Sequence, residues 1–154
     1  MVDIPMLFHS KNIASDAFLV TGGAGFIGSH IAEYLLKNGA GKVRVLDNLV
    51  NGFETNLAIL KQYPAFEFME GDIRNADTCQ AACKGMDYVS HQAALGSVPR
   101  SIKEPVYFNE VNVGGFVNIL KASVDHGIKQ LVYASSSSVY GDEPTLPKKE
   151  EKTG

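Results

Sequence analysis

Apolar residues recur along this chain in two alternating patterns. Short runs, Ala17-Phe18-Leu19-Val20, Lys42 to Leu46, Phe66 to Glu70, Tyr88 to His91 and Gln130 to Ala134, are bounded by glycine, asparagine, aspartate or serine and read as strands. Between them the spacing turns helical. Phe26 to Lys37 carries Ile27, Ile31 and Leu35 on one face and stops at Asn38-Gly39. Thr55 to Gln62 is a short helix ended by Pro64, and Asn75 to Lys84 is a helix with Asn75 available as its cap. Glu104 to Asp125 carries Val113, Phe116, Val117, Leu120 and Val124 and reads as one long amphipathic helix. Strands and helices that alternate on short links predict a parallel sheet with right-handed crossovers and helices on both faces. Arg44, inside the second strand, reads as a surface side chain, and residues 1–16 read as an arm in which Met6-Leu7-Phe8 forms a short turn.

The polar clusters fall at the carboxyl ends of the strands, where ligands bind in such sheets. The first is Thr21-Gly22-Gly23-Ala24-Gly25-Phe26-Ile27-Gly28, between a strand and a helix. Gly22 lets the chain turn off the strand, Gly25 admits a diphosphate to the backbone, and Gly28 lets the helix press on the strand. The helix start offers N–H groups and a positive dipole end to phosphate. Asp47 ends the second strand, nineteen residues after Gly28. An acid there accepts hydrogen bonds from the adenine-ribose hydroxyls and repels the extra phosphate of NADP, so the expected cofactor is NAD. A tight turn in an ordinary α/β domain is the competing reading of the glycines.

Composition changes this picture little. The 154 residues are 45% apolar and 20% charged, with a formal net charge of −3, and nothing basic points to nucleic acid. No apolar run approaches the ~20 residues that span a bilayer, and residues 1–16 lack the apolar centre of a signal peptide, so a cytoplasmic protein is expected. Cys79 and Cys83 share a helical face without further ligands, which suits small buried side chains better than a disulfide or a metal site.

The glycine turn with GxxGxxG spacing, Asp47-Asn48-Leu49, Gly71-Asp72-Ile73-Arg74, His91-Gln92-Ala93-Ala94 and the serines before Val139-Tyr140-Gly141 together resemble the extended short-chain dehydrogenase/reductases, the NAD-dependent nucleotide-sugar epimerases and dehydratases. The stretch His91 to Ser101 resembles the UDP-N-acetylglucosamine 4-epimerases in particular. The resemblance implies a Rossmann-type doubly wound parallel sheet of order 3-2-1-4-5 from residue 17 to 154, truncated before the last strands and the substrate domain. It implies that Gly22, Gly25, Phe26, Ile27 and Gly28 hold the diphosphate of NAD. Asp47, Asn48, Asn51 and Gly52 would hold the adenosine ribose and its phosphate side, and Asp72 and Ile73 would border the adenine. Gln92, Ala93, Ala94 and Asn112 would line the nicotinamide ribose. Ser136 matches the catalytic serine, and Gly96, Ser97, Ser137 and Ser138 would line the sugar pocket.

Several positions keep a second reading. Asp72 suits the cap of the next helix, Asn112 a buried backbone group, and the serines loose backbone groups at a strand end. His91 suits a structural role, and Arg100 either an anion or solvent.

The implied reaction is 4-epimerisation of a UDP-sugar through a 4-keto intermediate, with no metal. The related dehydratases place Asp and Glu where this chain has Ser137 and Ser138. A non-catalytic NAD-binding module and another dehydratase, reductase or decarboxylase of the superfamily are the alternatives. The family's base, a tyrosine followed four residues later by lysine, is not in this sequence. Behind Tyr34, Tyr63, Tyr88, Tyr107, Tyr133 and Tyr140 stand Asn38, Glu67, Gln92, Val111, Ser137 and Pro144. The chain is therefore expected to be the N-terminal portion of a longer enzyme, inactive alone and homodimeric when complete, with the Glu104–Asp125 helix in the dimer contact.

Overall fold

A computed structural model describes residues 11–153. Five strands, β1 (Ala17–Thr21), β2 (Lys42–Asp47), β3 (Phe66–Glu70), β4 (Tyr88–His91) and β5 (Gln130–Tyr133), form one sheet in the order β3-β2-β1-β4-β5. Every pairing is parallel. The order reverses direction beside β1, which leaves a crevice at the carboxyl ends of β1 and β4. This is the expected Rossmann-type sheet.

Both faces are covered at the centre of the sheet, so successive residues of β1 and β2 are buried in opposite directions, while Val132 and Tyr133 of edge strand β5 are 54% exposed. Val20, Val43 and Val45 pack on one side with Ala32 and Leu36 of α1 (Phe26–Lys37) and Leu57 and Leu60 of α2 (Glu54–Leu60). Leu19, Leu46 and Val89 pack on the other side with Cys79, Ala82 and Cys83 of α3 (Ala76–Cys83). Both cysteines are buried free thiols, and burial pushes Cys79 up to about 12, so neither serves as a nucleophile at neutral pH. Asn75 caps α3 by accepting from the Thr78 N–H at 3.0 Å.

The sequence reading is corrected in three places. Arg44 is not a surface side chain: it is 9% exposed, and its guanidinium donates to the carbonyls of Ala81, Ala82 and Lys84. It also bonds Glu67 on the adjacent strand at 3.2 Å. A cation there meets the negative end of α3 and supplies its unpaired carbonyls, which is why it is buried within a strand.

The helix expected over Glu104–Asp125 is α5 (Pro105–Asn109), a π-helical turn (Glu110–Gly115) and α6 (Phe116–Asp125). The loop before it contains a short further helix, α4 (Val98–Lys103), started by Ser97 and a proline. Six residues are too few to register as helical periodicity. The segment packs inward through Phe108, Val111, Ile119 and Ala122, and not through the valines that marked it. Val113, Val117, Leu120 and Val124 are 55, 54, 42 and 70% exposed, so a second apolar face looks outward.

The third difference is a boundary, α2 ending at Leu60 instead of Gln62. Residues 1–10 of the N-terminal arm, including Met6-Leu7-Phe8, lie outside the described residues. No helix among the described residues is long and apolar enough to cross a membrane.

Candidate dinucleotide site

The glycine turn is built by contacts that leave no room for a side chain. Gly22 has φ +69°, and a Cβ on it would stand 2.7 Å from the Ala93 nitrogen. A Cβ on Gly28 would stand 2.3 Å from the Gly22 carbonyl oxygen, so the first turn of α1 sits directly on the loop. The Gly22 N–H is held by the Leu46 carbonyl at 2.8 Å, and the Gly25 N–H by the Gly22 carbonyl at 3.1 Å. No side chain caps α1, whose first bond runs from the Ser29 N–H to the Gly25 carbonyl. A helix start without a cap can receive an anion, here on the backbone N–H groups of Phe26, Ile27 and Gly28, the Gly25 N–H being held by the Gly22 carbonyl.

The Asp47 loop is tied to that turn. The Asp47 carboxylate accepts the Ala24 N–H at 2.9 Å through Oδ2 and the Leu49 N–H at 2.8 Å through Oδ1. Leu49 takes φ +58° to close the loop. The Ala24 carbonyl accepts in turn from the Phe53 N–H and from the Asn56 side chain. Gly52 lies against this junction, where a Cβ would be 2.6 Å from the Ala24 Cβ. The Asn48 amide donates to Asp72 at 3.1 Å and so joins the loops after β2 and β3. Asp72 accepts the Arg74 backbone N–H and pairs with its guanidinium at 2.7 Å, and hydrogen bonds from Arg74 hold its carboxyl down at about 2. Asp72 remains an acceptor throughout the neutral range; the cap of α3 is Asn75.

A cleft opens between these loops, lined by Gly22, Asp47, Asn48, Asn51, Asp72, Ile73, Ala93 and Ala94. Tyr107 and Val111 also line it, and the sequence reading had assigned neither. Their spacing of four, on one helical face beside the expected Asn112, was the available signal.

A second, roomier cleft adjoins the first through Ala93, Ala94 and Leu95. It gathers Gln92, Gly96, Asn112 and Ser136, with Phe116 and Tyr133 as unforeseen apolar lining. Asn112 uses both ends of its amide on the Leu95 backbone, at 2.8 and 3.0 Å, and thereby fixes the loop after β4. Asn118, one face further along, donates to the Ile73 and Arg74 carbonyls and fixes the loop after β3. The Gln92 side chain donates to the Ser90 hydroxyl at 3.0 Å.

Ser136 lies in the cleft wall and caps a one-turn helix, Ser137–Tyr140, by accepting the Ser138 N–H at 3.2 Å. Its hydroxyl also meets the Ser138 hydroxyl at 3.1 Å. Ser137, Ser138 and Ser97 lie beyond the lining, and Ser97 caps α4. His91 is buried, with Nδ1 2.8 Å from the Thr21 hydroxyl and its ring against Phe116. Burial pulls it down to about 4, so it is a neutral structural ring at neutral pH. Among the described residues no group of His, Cys, Asp or Glu is placed to hold a metal ion.

The residues present fit a dinucleotide: an uncapped helix start next to the glycine turn, whose Gly22 lines the first cleft, carboxylates for hydroxyls in that cleft, and a hydroxyl-bearing second cleft; Gly25, Phe26, Ile27 and Gly28 themselves lie outside both linings.

Known proteins carry the same architecture. A UDP-glucose 4-epimerase of Klebsiella pneumoniae is 37% identical over 133 residues, covering 84% of this chain and 95% of that one. Against six other curated UDP-glucose 4-epimerase relatives the chain spans about 40% of their length. The UDP-N-acetylglucosamine 4-epimerase of Methanobrevibacter ruminantium, solved with UDP-N-acetylmuramic acid, superposes with a TM-score of 0.81 at 38% identity, over 90% of this chain and 43% of that one. A dTDP-glucose 4,6-dehydratase of Streptomyces venezuelae, solved with NAD, superposes at 0.76 with 41% identity, over 81% of this chain and 41% of that one. The family model described as "NAD dependent epimerase/dehydratase family" matches residues 18–154. The chain belongs to the NAD-dependent epimerase/dehydratase family.

Proposed function

We propose that residues 17–154 are the NAD-binding portion of a UDP-sugar 4-epimerase of the UDP-N-acetylglucosamine/UDP-N-acetylgalactosamine type. The observation that carries this reading is the shared wall of the two clefts. Ala93, Ala94 and Leu95 border both the acidic cleft beside the glycine turn and the cleft that holds Ser136. A wall shared in this way supports the reading that nucleotide and sugar meet there.

The residues divide the work. Gly25, Phe26, Ile27 and Gly28 hold the diphosphate at the α1 N-terminus. Asp47, Asn48, Asn51 and Gly52 close over the ribose, and Asp72 and Ile73 border the adenine. Gln92, Ala93, Ala94 and Asn112 shape the nicotinamide side. NAD bound there supplies a reversible hydride acceptor. Ser136 hydrogen-bonds the sugar hydroxyl at the reacting carbon, while Gly96 faces the sugar and Ser97, Ser137 and Ser138 stand behind that lining. The base that removes the hydroxyl proton is not among these 154 residues, since no tyrosine has lysine at the fourth position on. A 4,6-elimination needs an acid and a base beside the sugar, and Ser137 and Ser138 offer only hydroxyls. This favours epimerisation over the dehydratase reading.

The outward valine face supports a homodimer in the complete protein.

The test is to incubate the native gene product with UDP-N-acetylglucosamine. Formation of UDP-N-acetylgalactosamine without net NADH is the expected result. Net NADH, or a 4-keto-6-deoxy product, refutes the epimerase reading.

A further inference from the structure

The acidic cleft has an apolar wall that the strand-end loops supply only in part. Tyr107 and Val111 stand one helical turn apart along the α5–π-turn segment, and with Ile73 they form that surface. Tyr107 is not a loosely placed ring. The Arg74 guanidinium lies 5.0 Å from its centroid and the Arg100 guanidinium 5.5 Å. Each cation is anchored on a carboxylate, Arg74 on Asp72 at 2.7 Å and Arg100 on Glu104 at 3.2 Å. Arg74 also approaches Glu110 at 3.7 Å. A tyrosine flanked by two ion-paired cations is partly preorganised before any ligand arrives.

Carboxylates and a flat apolar wall in one cleft match the two chemistries of a purine nucleoside, hydroxyls on one part and an apolar ring on the other. We propose that Tyr107 is an affinity-determining residue for the adenosine half of the cofactor. It is the fixed wall against which the purine packs, and Arg74 and Arg100 are the residues that position it. This rests on the reading of the site as an NAD site.

The experiment is calorimetric titration of the native gene product with ADP-ribose, NAD and nicotinamide mononucleotide. Wild type, Tyr107→Ala, Tyr107→Phe and Arg100→Gln are compared. Tyr107→Ala is expected to weaken ADP-ribose and NAD about tenfold and to leave nicotinamide mononucleotide unchanged. Tyr107→Phe keeps the ring and is expected to bind as wild type. Arg100→Gln is expected to lose about threefold on the adenosine ligands alone. Tyr107→Ala binding ADP-ribose as well as wild type overturns the inference, as does an equal loss on nicotinamide mononucleotide, which marks a general structural defect. Wild type that binds none of the three overturns the NAD reading itself and the inference with it.

Discussion

Asp47 grips Ala24 at 2.9 Å, carboxylate to backbone N–H, and so fastens the end of the second strand to the middle of the glycine turn. The acid proposed to select the cofactor is therefore also part of what holds the glycine turn in shape. Replacing it by alanine removes two charge-assisted bonds, to Ala24 and Leu49, from a buried position. Asp47→Ala is expected to lose about 2 kcal/mol of stability by urea unfolding as well as NAD affinity. An Asp47→Ala variant as stable as wild type contradicts the structural half of this role.

The glycines make a steeper prediction. At Gly28 the added methyl group meets a carbonyl oxygen at 2.3 Å, and that oxygen belongs to the turn itself. Gly28→Ala is expected to cost about 3 kcal/mol and to abolish measurable NAD binding. Gly85, with nothing within 4 Å of an added Cβ but φ +74°, is the control. Gly85→Ala is expected to cost about 1 kcal/mol and to leave NAD binding intact.

Arg44 links the sheet to α3. Its replacement by methionine keeps the volume but leaves the carbonyls of Ala81, Ala82 and Lys84 without a donor. Arg44→Met is expected to destabilise by about 2 kcal/mol, while Lys42→Met, on an exposed ion pair to Glu67, stays within about 0.5 kcal/mol. Thermal or urea midpoints of the two variants check the ranking.

His91 makes stability depend on pH. Burial lowers its pKa to about 4 in the fold, against 6.5 for an ordinary histidine. Between these values the unfolded chain binds more protons than the folded one, so stability rises with pH across that window. The contribution is complete above 6.5 and is lost as pH falls toward 4, up to about 3 kcal/mol. Urea midpoints measured from pH 7 to 4.5 are expected to fall more steeply for wild type than for His91→Gln. Parallel slopes would show that His91 is not the titrating group.

What the sequence conveyed and what it hid have physical reasons. The strands were legible because a parallel sheet buries both faces and leaves uninterrupted apolar runs such as Lys42 to Leu46. The turn was legible because Gly22 and Gly28 are where a Cβ cannot fit. Arg44 was misread because a buried cation depends on carbonyls 37 to 40 residues away, which no local pattern carries. Val113, Val117, Leu120 and Val124 gave the right element, but they mark its outer face. The helix is apolar on two sides, and periodicity cannot tell which one meets the sheet. Tyr107 was hidden because its role comes from Arg74 and Arg100, which meet it only in the fold.

The most direct test of the account is a paired titration of the purified protein with NAD and with NADP. NAD is expected to bind, and NADP to bind at least about tenfold more weakly, because the Asp47 carboxylate lines the cleft assigned to the adenosine and would repel a second phosphate there. Equal affinity for the two, or binding of neither, contradicts the assignment of this cleft.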